Sequence, residues 1–494
     1  MNFNISKERM LEGMNIMNSF GTRLTGSKGH NDFIKWLKDE IAKMDIPTFS
    51  DPFYFTRWEE KNSSIEIIDG DDKINIPVSS AYPYSGQTST DGITEELVYV
   101  KGIKDAQKTA GKIAVFDISN INFLPSEIAF DKRSSYPEDV VLEKKYEGPV
   151  ITSFVQCFYG IISKLTKAKA VILIWKGLHK DMIEGQYLSF IMDYQKIPML
   201  WVNEDEGKKV IAAAKANKKA KFVLEAEIEE NAFTETFYCI LKGKNQKENV
   251  VVNTHTDGTN CVEENGPIAL LELMRNMKDM ELERNHIFVF TTGHFRLPHF
   301  EDRRTGAMQA VSRWLAMHRE LWDGKGEHMK TVADLTIEHL GCMEWRDVDG
   351  EYKYTGKPEI DLVYTGNKFM DKLYIDTVKD RKIIRTMTLR GHNALHFGEG
   401  QNFFMMGVPE ISLCPAPYYL CVVSDSHEME KFDIDLMTEQ TETFAKLIEK
   451  IEKISAKKLG KSDGYSFVKA NSVSGGYDFT LKGLSEKISS MVKK

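Results

Sequence analysis

Hydrophobic residues recur at helical spacing near the start of the chain, between residues 7 and 44. Met10, Met14 and Met17 form one apolar stripe, and a second stripe follows after a break, which predicts two helices. The break reads FGTRLTGSKGH, and its glycines and small polar residues predict a loop. We assign residues 1–60 to an N-terminal helical part of the main domain.

The pattern changes between about residues 60 and 225, where short β-type runs alternate with turn residues. These runs read SSIEIID, ELVYV, GKIAVFDIS, AVILIWKG, IPMLWVN and KFVLEAEIE. One helix is predicted before AVILIW, and another, GKKVIAAAKA, after IPMLWVN. The segment 61–228 is therefore predicted to be a β-rich domain inserted into the main one.

Strand, loop and helix patterns alternate from about residue 235 to 455. The strand patterns are NVVVNTH, HIFVFTTGH, TVADLTIEHLG, PEIDLVYTG and VPEISLCP, and helices such as PIALLELMRNM lie between them. Continuous apolar strands are typical of a sheet that is buried on both faces. The pattern predicts an α/β fold with a mainly parallel, mixed sheet flanked by helices on both faces. This domain spans 229–456, and residues 457–494 form a C-terminal appendage.

The overall composition narrows the function classes. The net charge of −8 argues against nucleic-acid binding, which requires a basic surface. No run approaches the ~20 apolar residues that span a bilayer, and no apolar run follows the first charges, which argues against a secretory signal. The six cysteines are scattered without a paired motif, which favours reduced thiols in a cytoplasmic protein. The composition is compatible with self-association into a homo-oligomer.

Polar side chains follow several of the predicted strands. They are His255 and Asp257, His294, Glu338, the pair Glu263 and Glu264 before a helix, and Asp425 and His427 near the last strand. Ligands bind beyond the carboxyl ends of the strands in such sheets, and imidazole and carboxylate are zinc ligands. A cation would offset the cost of burying these groups and would activate a water. The sequence therefore predicts one or two divalent ions, with zinc favoured.

The chain resembles the co-catalytic zinc aminopeptidases, metallopeptidase family twenty-eight. This group also contains glutaminyl cyclases, glutamate carboxypeptidase II and the non-enzymatic transferrin receptor. The resemblance rests on FGTRLTGSKGH, VVVNTHTDG, GPIALLELMR, HIFVFTTGH, LTIEHLG and SDSHEMEKFDID. The segment at 61–228 resembles the protease-associated insert of that family.

The resemblance implies roles for individual residues. His255 falls on a family metal ligand, Asp257 on the residue that orients it, and Glu338 on a ligand position that is Asp in the family. His427 falls on the last His ligand, with Asp425 as an orienting partner. The family's bridging Asp is replaced within NCVEENG, and its Glu-Glu pair is replaced by Gly293-His294-Phe295. The site is thus divergent.

These considerations lead to one set of assignments. The expected metal ligands are His255, Glu264, Glu338 and His427; the expected catalytic residues are His294 and Glu263; the expected orienting residues are Asp257 and Asp425. His339 is expected to point to the opposite face, because side chains alternate along a strand. The segment containing Glu399 is expected to shape a substrate pocket.

The function expected from this site is metal-dependent hydrolysis of an amide or peptide bond in a small molecule or short peptide. Two alternatives stay open. One is a non-catalytic binding or scaffold protein on the same fold, since a fold alone does not decide function. The other is a metal-assisted cyclase or lyase.

Overall fold

The computed structural model describes residues 3–119, 131–143, 166–187, 196–294, 310–391, 396–423 and 429–463. The helices are α1 (Lys7–Ser19), α2 (Lys28–Ala42), α3 (Ile103–Ala106), α4 (Glu204–Lys215), α5 (Gly266–Met277), α6 (Val311–Met317), α7 (Lys368–Val378), α8 (Gly400–Met405), α9 (Ile434–Glu452) and α10 (Ala456–Leu459). None of these helices is long and apolar enough to cross a membrane.

The strands form one large mixed sheet and a separate hairpin. They are β1 (Thr48–Asp69), β2 (Asp72–Ile76), β3 (Ser80–Ala81), β4 (Ile93–Tyr99), β5 (Ile113–Ser119), β6 (Lys132–Tyr136), β7 (Ala170–Lys176), β8 (Met199–Asn203), β9 (Lys219–Leu241), β10 (Asn245–His255), β11 (Arg284–Thr291), β12 (Lys330–Ile337), β13 (Met343–Val348), β14 (Glu351–Pro358), β15 (Asp361–Thr365), β16 (Thr386–Arg390) and β17 (Glu410–Leu413). The hairpin consists of β13 and β14.

The central part of the sheet has the order β9-β11-β10-β12-β17-β15-β16-β6. Strands β11, β10, β12 and β17 are mutually parallel, whereas β9 pairs antiparallel with β11 and β15 pairs antiparallel with β17. The antiparallel ribbon of β1 and β9 connects this part to β4, β5, β7 and β8. Residues 60 and 228, where we expected domain boundaries, both lie within this ribbon.

Helices cover both faces of the central sheet. Along β10, Val250 and Val252 belong to the core beneath α1, α2, α5 and α9, whereas Val251 belongs to a second core with Trp314 of α6 and Phe403 of α8. Alternate residues of a strand point to opposite faces, so β10 is buried on both sides. The predicted α/β class, with a mixed sheet between two helical layers, is confirmed.

Candidate metal centre

Strand β10 ends at His255, whose side chain is completely buried. The His255 Nδ1 atom lies 2.9 Å from the carbonyl oxygen of Asp257, so Nδ1–H donates to that carbonyl and the lone pair of the ring is at Nε2. Among the residues that the structure describes, none forms a hydrogen bond with Nε2. Asp257 thus orients His255 through its backbone, while its carboxylate accepts a hydrogen bond from the Thr25 hydroxyl.

Two buried glutamates lie in the loop between β10 and α5. Glu264 forms an ion pair with the buried Arg23, whose Nε donates to Glu264 Oε1. Glu263 lies among the imidazoles instead. A Cβ atom at Gly258 would overlap both carboxylates, so the loop packs against them without spare room. The sequence assigned a metal-ligand role to Glu264, but the structure places Glu263 in the cluster.

Three imidazoles face one oxygen of Glu263. The Nε2 atoms of His294, His339 and His255 lie 3.0, 3.8 and 3.9 Å from Glu263 Oε1. The His255 and His294 rings are stacked, with centroids 3.8 Å apart. Ligand atoms of His255, Glu263 and His339 all lie within 4.8 Å of one another. The described residues therefore bring two histidines and a carboxylate to metal-binding distance, with a third histidine beside them.

His294 follows β11 after Gly293, whose positive φ of 84° turns the chain at the strand end. Its Nδ1 atom lies 3.3 Å from Glu399 Oε1. Glu399 also accepts hydrogen bonds from the backbone N–H groups of Ala310 and Val311, at 3.1 and 2.6 Å. With 11% of its side chain exposed, His294 is more accessible than the completely buried His255.

His339 does not follow strand alternation, and the expectation that it points to the opposite face was wrong. Strand β12 ends at Ile337, and His339 has a φ of +56°, in the left-handed region that few non-glycine residues adopt. This conformation turns its ring back to the cluster. Its Nδ1 atom lies 2.7 Å from the carbonyl oxygen of Pro415, so Nδ1–H donates there and Nε2 carries the lone pair.

Glu338 is completely buried beside this cluster. Its Oε1 atom accepts a hydrogen bond from the backbone N–H of Glu399 at 2.9 Å. A second group of potential ligand atoms, within 4.8 Å of one another, comprises Glu338, His339 and Cys414. Two residues that the sequence did not assign to the centre, His339 and Cys414, thus adjoin an assigned one.

Burial controls the charges of the cluster. It raises the pKa of Glu263 to about 8 and that of Glu338 to about 7, and it lowers the pKa of His339 to about 3. Burial also opposes the charged form of His294, but the carboxylates of Glu263 and Glu399 raise its pKa well above the ordinary value. Without a cation the acidic groups are costly to ionise, and a divalent ion would remove that cost.

Some assigned residues fall outside the described part of the chain. His427 and Asp425 lie in the segment 424–428, and Phe295 lies in the segment 295–309. Their roles stay predictions. His255 and Glu338 do lie at the same rim of the sheet, on the face covered by α8.

Comparisons with known proteins show likeness in fold but not in sequence. No protein-family model and no curated protein sequence matches the chain. The zinc aminopeptidase BSAP from Bacillus subtilis aligns with a TM-score of 0.62 at 13% identity, covering 92% of this chain and 98% of that one. The peptidase M28 precursor from Shewanella amazonensis gives 0.59 at 14% identity, covering 90% and 96%.

An aminopeptidase from Aneurinibacillus sp. strain AM-1 gives a TM-score of 0.57 at 14% identity, covering 90% of this chain and 94% of that one. These alignments extend over nearly the whole of each protein. The chain therefore has the zinc-aminopeptidase fold, and at this level of identity the comparisons establish the fold alone.

Proposed function

We propose that the protein is a metal-dependent hydrolase that cleaves an amide or peptide bond of a small molecule or short peptide. One observation carries this proposal: the lone-pair nitrogens of His255 and His339 converge with a buried carboxylate of Glu263. Metal-binding histidines characteristically donate their other ring N–H to a carbonyl or carboxylate, which fixes the lone pair toward the ion.

The residues fit a catalytic zinc ion. Two histidines and one glutamate are a known ligand set of catalytic zinc, and such sites leave a fourth position for water or substrate. We assign His255, His339 and Glu263 as ligands. The ion pair with Arg23 balances the negative charge of Glu264, and this pair supports the loop that carries Glu263. When bound, the ion would polarise the carbonyl of the substrate and lower the pKa of a water.

His294 is the acid–base residue in this proposal. Glu399 holds its Nδ1 atom, so Nε2 faces the cluster, 3.0 Å from Glu263. The carboxylate of Glu263 raises the pKa of His294 while it carries no cation; once Glu263 binds the cation this effect weakens, and Nε2 would accept a proton from the attacking water and return it to the leaving amine. The resemblance aligns His294 with the position of the family's general base. A fold shared with aminopeptidases supports an amide substrate, and the deep burial of the ligands supports a small reacting group.

Metal analysis and turnover of the purified chain test the proposal. We expect a divalent metal to copurify, chelation to abolish hydrolysis of at least one member of a panel of aminoacyl amides and dipeptides, and zinc to restore it. H339A should lose metal and activity, whereas H328A, on a part-exposed turn, should retain both.

Three outcomes would contradict the proposal in different ways. A chain that binds no divalent ion and hydrolyses nothing lacks the proposed centre. Tight metal binding and ligand binding without turnover favours the scaffold alternative. A product that has not gained a water, as shown by its mass, favours the cyclase or lyase alternative.

A further inference from the structure

Residues 185–187 form a short antiparallel pairing with residues 421–423, which lie in the segment that follows β17. Gln186 and Val422 are the bridge partners, and both are buried. Two backbone hydrogen bonds of 2.8 Å flank them, from the N–H of Tyr187 to the carbonyl of Cys421 and from the N–H of Val423 to the carbonyl of Gly185. We call residues 185–187 the strap, because they join two parts of the chain that are distant in sequence.

One side of the strap is attached to strands β3, β4, β5, β7 and β8, which we call the distal strands. The hydroxyl of Ser80, in β3, donates to the carbonyl of Gln186 at 2.9 Å. Tyr187 belongs to the apolar core between the distal strands and the ribbon of β1 and β9. Ile183, just before the strap, belongs instead to the core of the central sheet, together with Val422. The chain therefore passes from one core to the other at the strap.

The other side of the strap is attached to the loop that carries Glu263. The amide of Asn260 donates at 3.0, 2.9 and 3.0 Å to three carbonyls in residues 419–423, those of Tyr419, Leu420 and Val422. The Oδ1 atom of Asn260 accepts from the backbone N–H of Glu263 at 3.3 Å. A continuous path of hydrogen bonds and main chain thus leads from the strap through residues 419–423 and Asn260 to a proposed metal ligand.

We propose that the strap is a positioning element of the metal centre, which holds Glu263 in place through residues 419–423 and Asn260. The inference rests on the proposed metal-dependent function. Each step of the path is a direct hydrogen bond or a covalent link of the chain, so a displaced strap shifts Glu263 relative to His255 and His339. Coupling between two sites is reciprocal. A cation that fixes Glu263 therefore also stabilises the pairing of the strap.

Gly185→Ala tests the path with a small change far from the ligands. Gly185 has a φ of +70°, and a Cβ atom there would lie 3.0 Å from the carbonyl oxygen of Val423, so the two sides of the pairing must separate slightly. Gly177→Ala is the matched control, because Gly177 also has a positive φ, +80°, but a Cβ atom there meets nothing within 4 Å. We expect G185A to weaken zinc binding about tenfold in competition titration, and G177A to leave it unchanged.

Amide hydrogen exchange of the wild-type chain, with and without zinc, is a second measurement and needs no substitution. Short paired segments exchange by local opening. We expect zinc to slow exchange of the Tyr187 and Val423 amides about fivefold or more, whereas a strap with only a structural role would not respond to zinc. The Tyr82 amide is the control, because it donates to the Met199 carbonyl beside the similarly short pairing of β3 with β8.

Two outcomes would overturn the inference and leave the metal centre standing. One is equal zinc affinity in G185A and G177A. The other is zinc binding that slows exchange of the Glu263 amide but affects the Tyr187 and Val423 amides no more than the Tyr82 amide. If G185A does not fold, the exchange measurement decides alone. Failure of the wild-type chain to bind any divalent ion would instead overturn the proposed function, and the inference with it.

Discussion

Three different acceptors fix the imidazoles of the centre through their Nδ1 atoms. Two of them are backbone carbonyls, of Asp257 and Pro415, and the third is the carboxylate of Glu399. A backbone carbonyl is available from any residue type and moves only with the main chain. Orientation by carbonyls therefore leaves no trace in the sequence, whereas Glu399 offers a side chain whose role can be tested.

Glu399→Gln should separate catalysis from metal binding. The carboxylate accepts hydrogen bonds from His294, Ala310 and Val311 through its two oxygens. A neutral amide has only one acceptor oxygen, so it cannot accept from all three groups and its hydrogen bond to His294 loses the assistance of the negative charge. We expect the hydrolysis rate to fall about 100-fold and the zinc affinity to change little, because the three ligands are untouched. Turnover and competition titration measure the two quantities.

Glu327→Gln is the control, because Glu327 is almost fully exposed and distant from the centre. If E399Q lowers zinc affinity and rate in parallel, or leaves the rate unchanged, His294 is not the acid–base residue positioned by Glu399.

Gly258→Ala should disturb the ligand loop without changing any ligand. The new Cβ atom would overlap the carboxylates of Glu263 and Glu264, so Glu263 must shift from its position among the histidines. Overpacking of this kind costs about 1–3 kcal/mol of stability. We expect weaker zinc binding as well, measured by competition titration. Gly102→Ala, which meets nothing within 4 Å, should change neither quantity, and equal effects of both variants would contradict this explanation.

The sequence predicted the position of a site residue when that residue directly followed a regular strand. His255 and Glu338 were predicted because an apolar strand precedes each of them, and both lie at the rim of the sheet. His339 was misplaced because its positive φ breaks the alternation that the prediction assumed. The choice between Glu263 and Glu264 depended on Arg23, a contact across distant segments that no local pattern reveals.

The element that carries Glu263 is a loop held by one asparagine. Asn260 is 1% exposed; its amide donates to the carbonyls of Tyr419, Leu420 and Val422, and its Oδ1 atom accepts from the backbone N–H of Glu263. These bonds attach the loop to the segment that follows β17. The segment that follows β17 thus fixes the position of the loop before α5.

Asn260→Ala should destabilise the chain by about 3 kcal/mol, because it leaves several buried backbone groups without a partner. Urea denaturation measures the free energy of unfolding, and zinc affinity should also fall, since Glu263 loses a contact to its backbone. Asn62→Ala removes a hydrogen bond on an exposed strand and should cost less than 1 kcal/mol. A similar loss for both variants would show that Asn260 has no special role.

The longest strands were also the hardest to predict. Strands β1 and β9 pair from Thr48 with Cys239 to Ile68 with Lys219, but the middle of β9 is exposed and polar. The sequence predicted strands only at one end of the ribbon, SSIEIID and KFVLEAEIE, and the change of pattern near residues 60 and 228 was interpreted as domain boundaries, which lie inside the ribbon. Buried strands such as β10 gave a clear pattern because both of their faces require apolar residues.

At the scale of the whole molecule, the alternation of strands and helices was sufficient to predict the layered architecture. It did not predict how histidines are distributed through the core. His286, at the start of β11, is completely buried far along the strand from His294. Its Nδ1 atom lies 3.2 Å from the carbonyl oxygen of Arg284, and its Nε2 atom lies 3.9 Å from Glu452 Oε1.

Burial lowers the pKa of His286 from 6.5 to about 4, which makes the whole fold sensitive to acid. Between these values the unfolded chain binds a proton at this residue and the native chain does not, so the free energy of unfolding falls as the pH falls from 6.5 to 4. The contribution of His286 amounts to about 3 kcal/mol over this range. In urea titrations at several pH values, His286→Asn should reduce the fall in the free energy of unfolding between pH 6.5 and pH 4 by that amount. A change in stability at neutral pH does not affect this difference. An unaltered slope in H286N would show instead that His286 binds its proton in the native fold as it does in the unfolded chain.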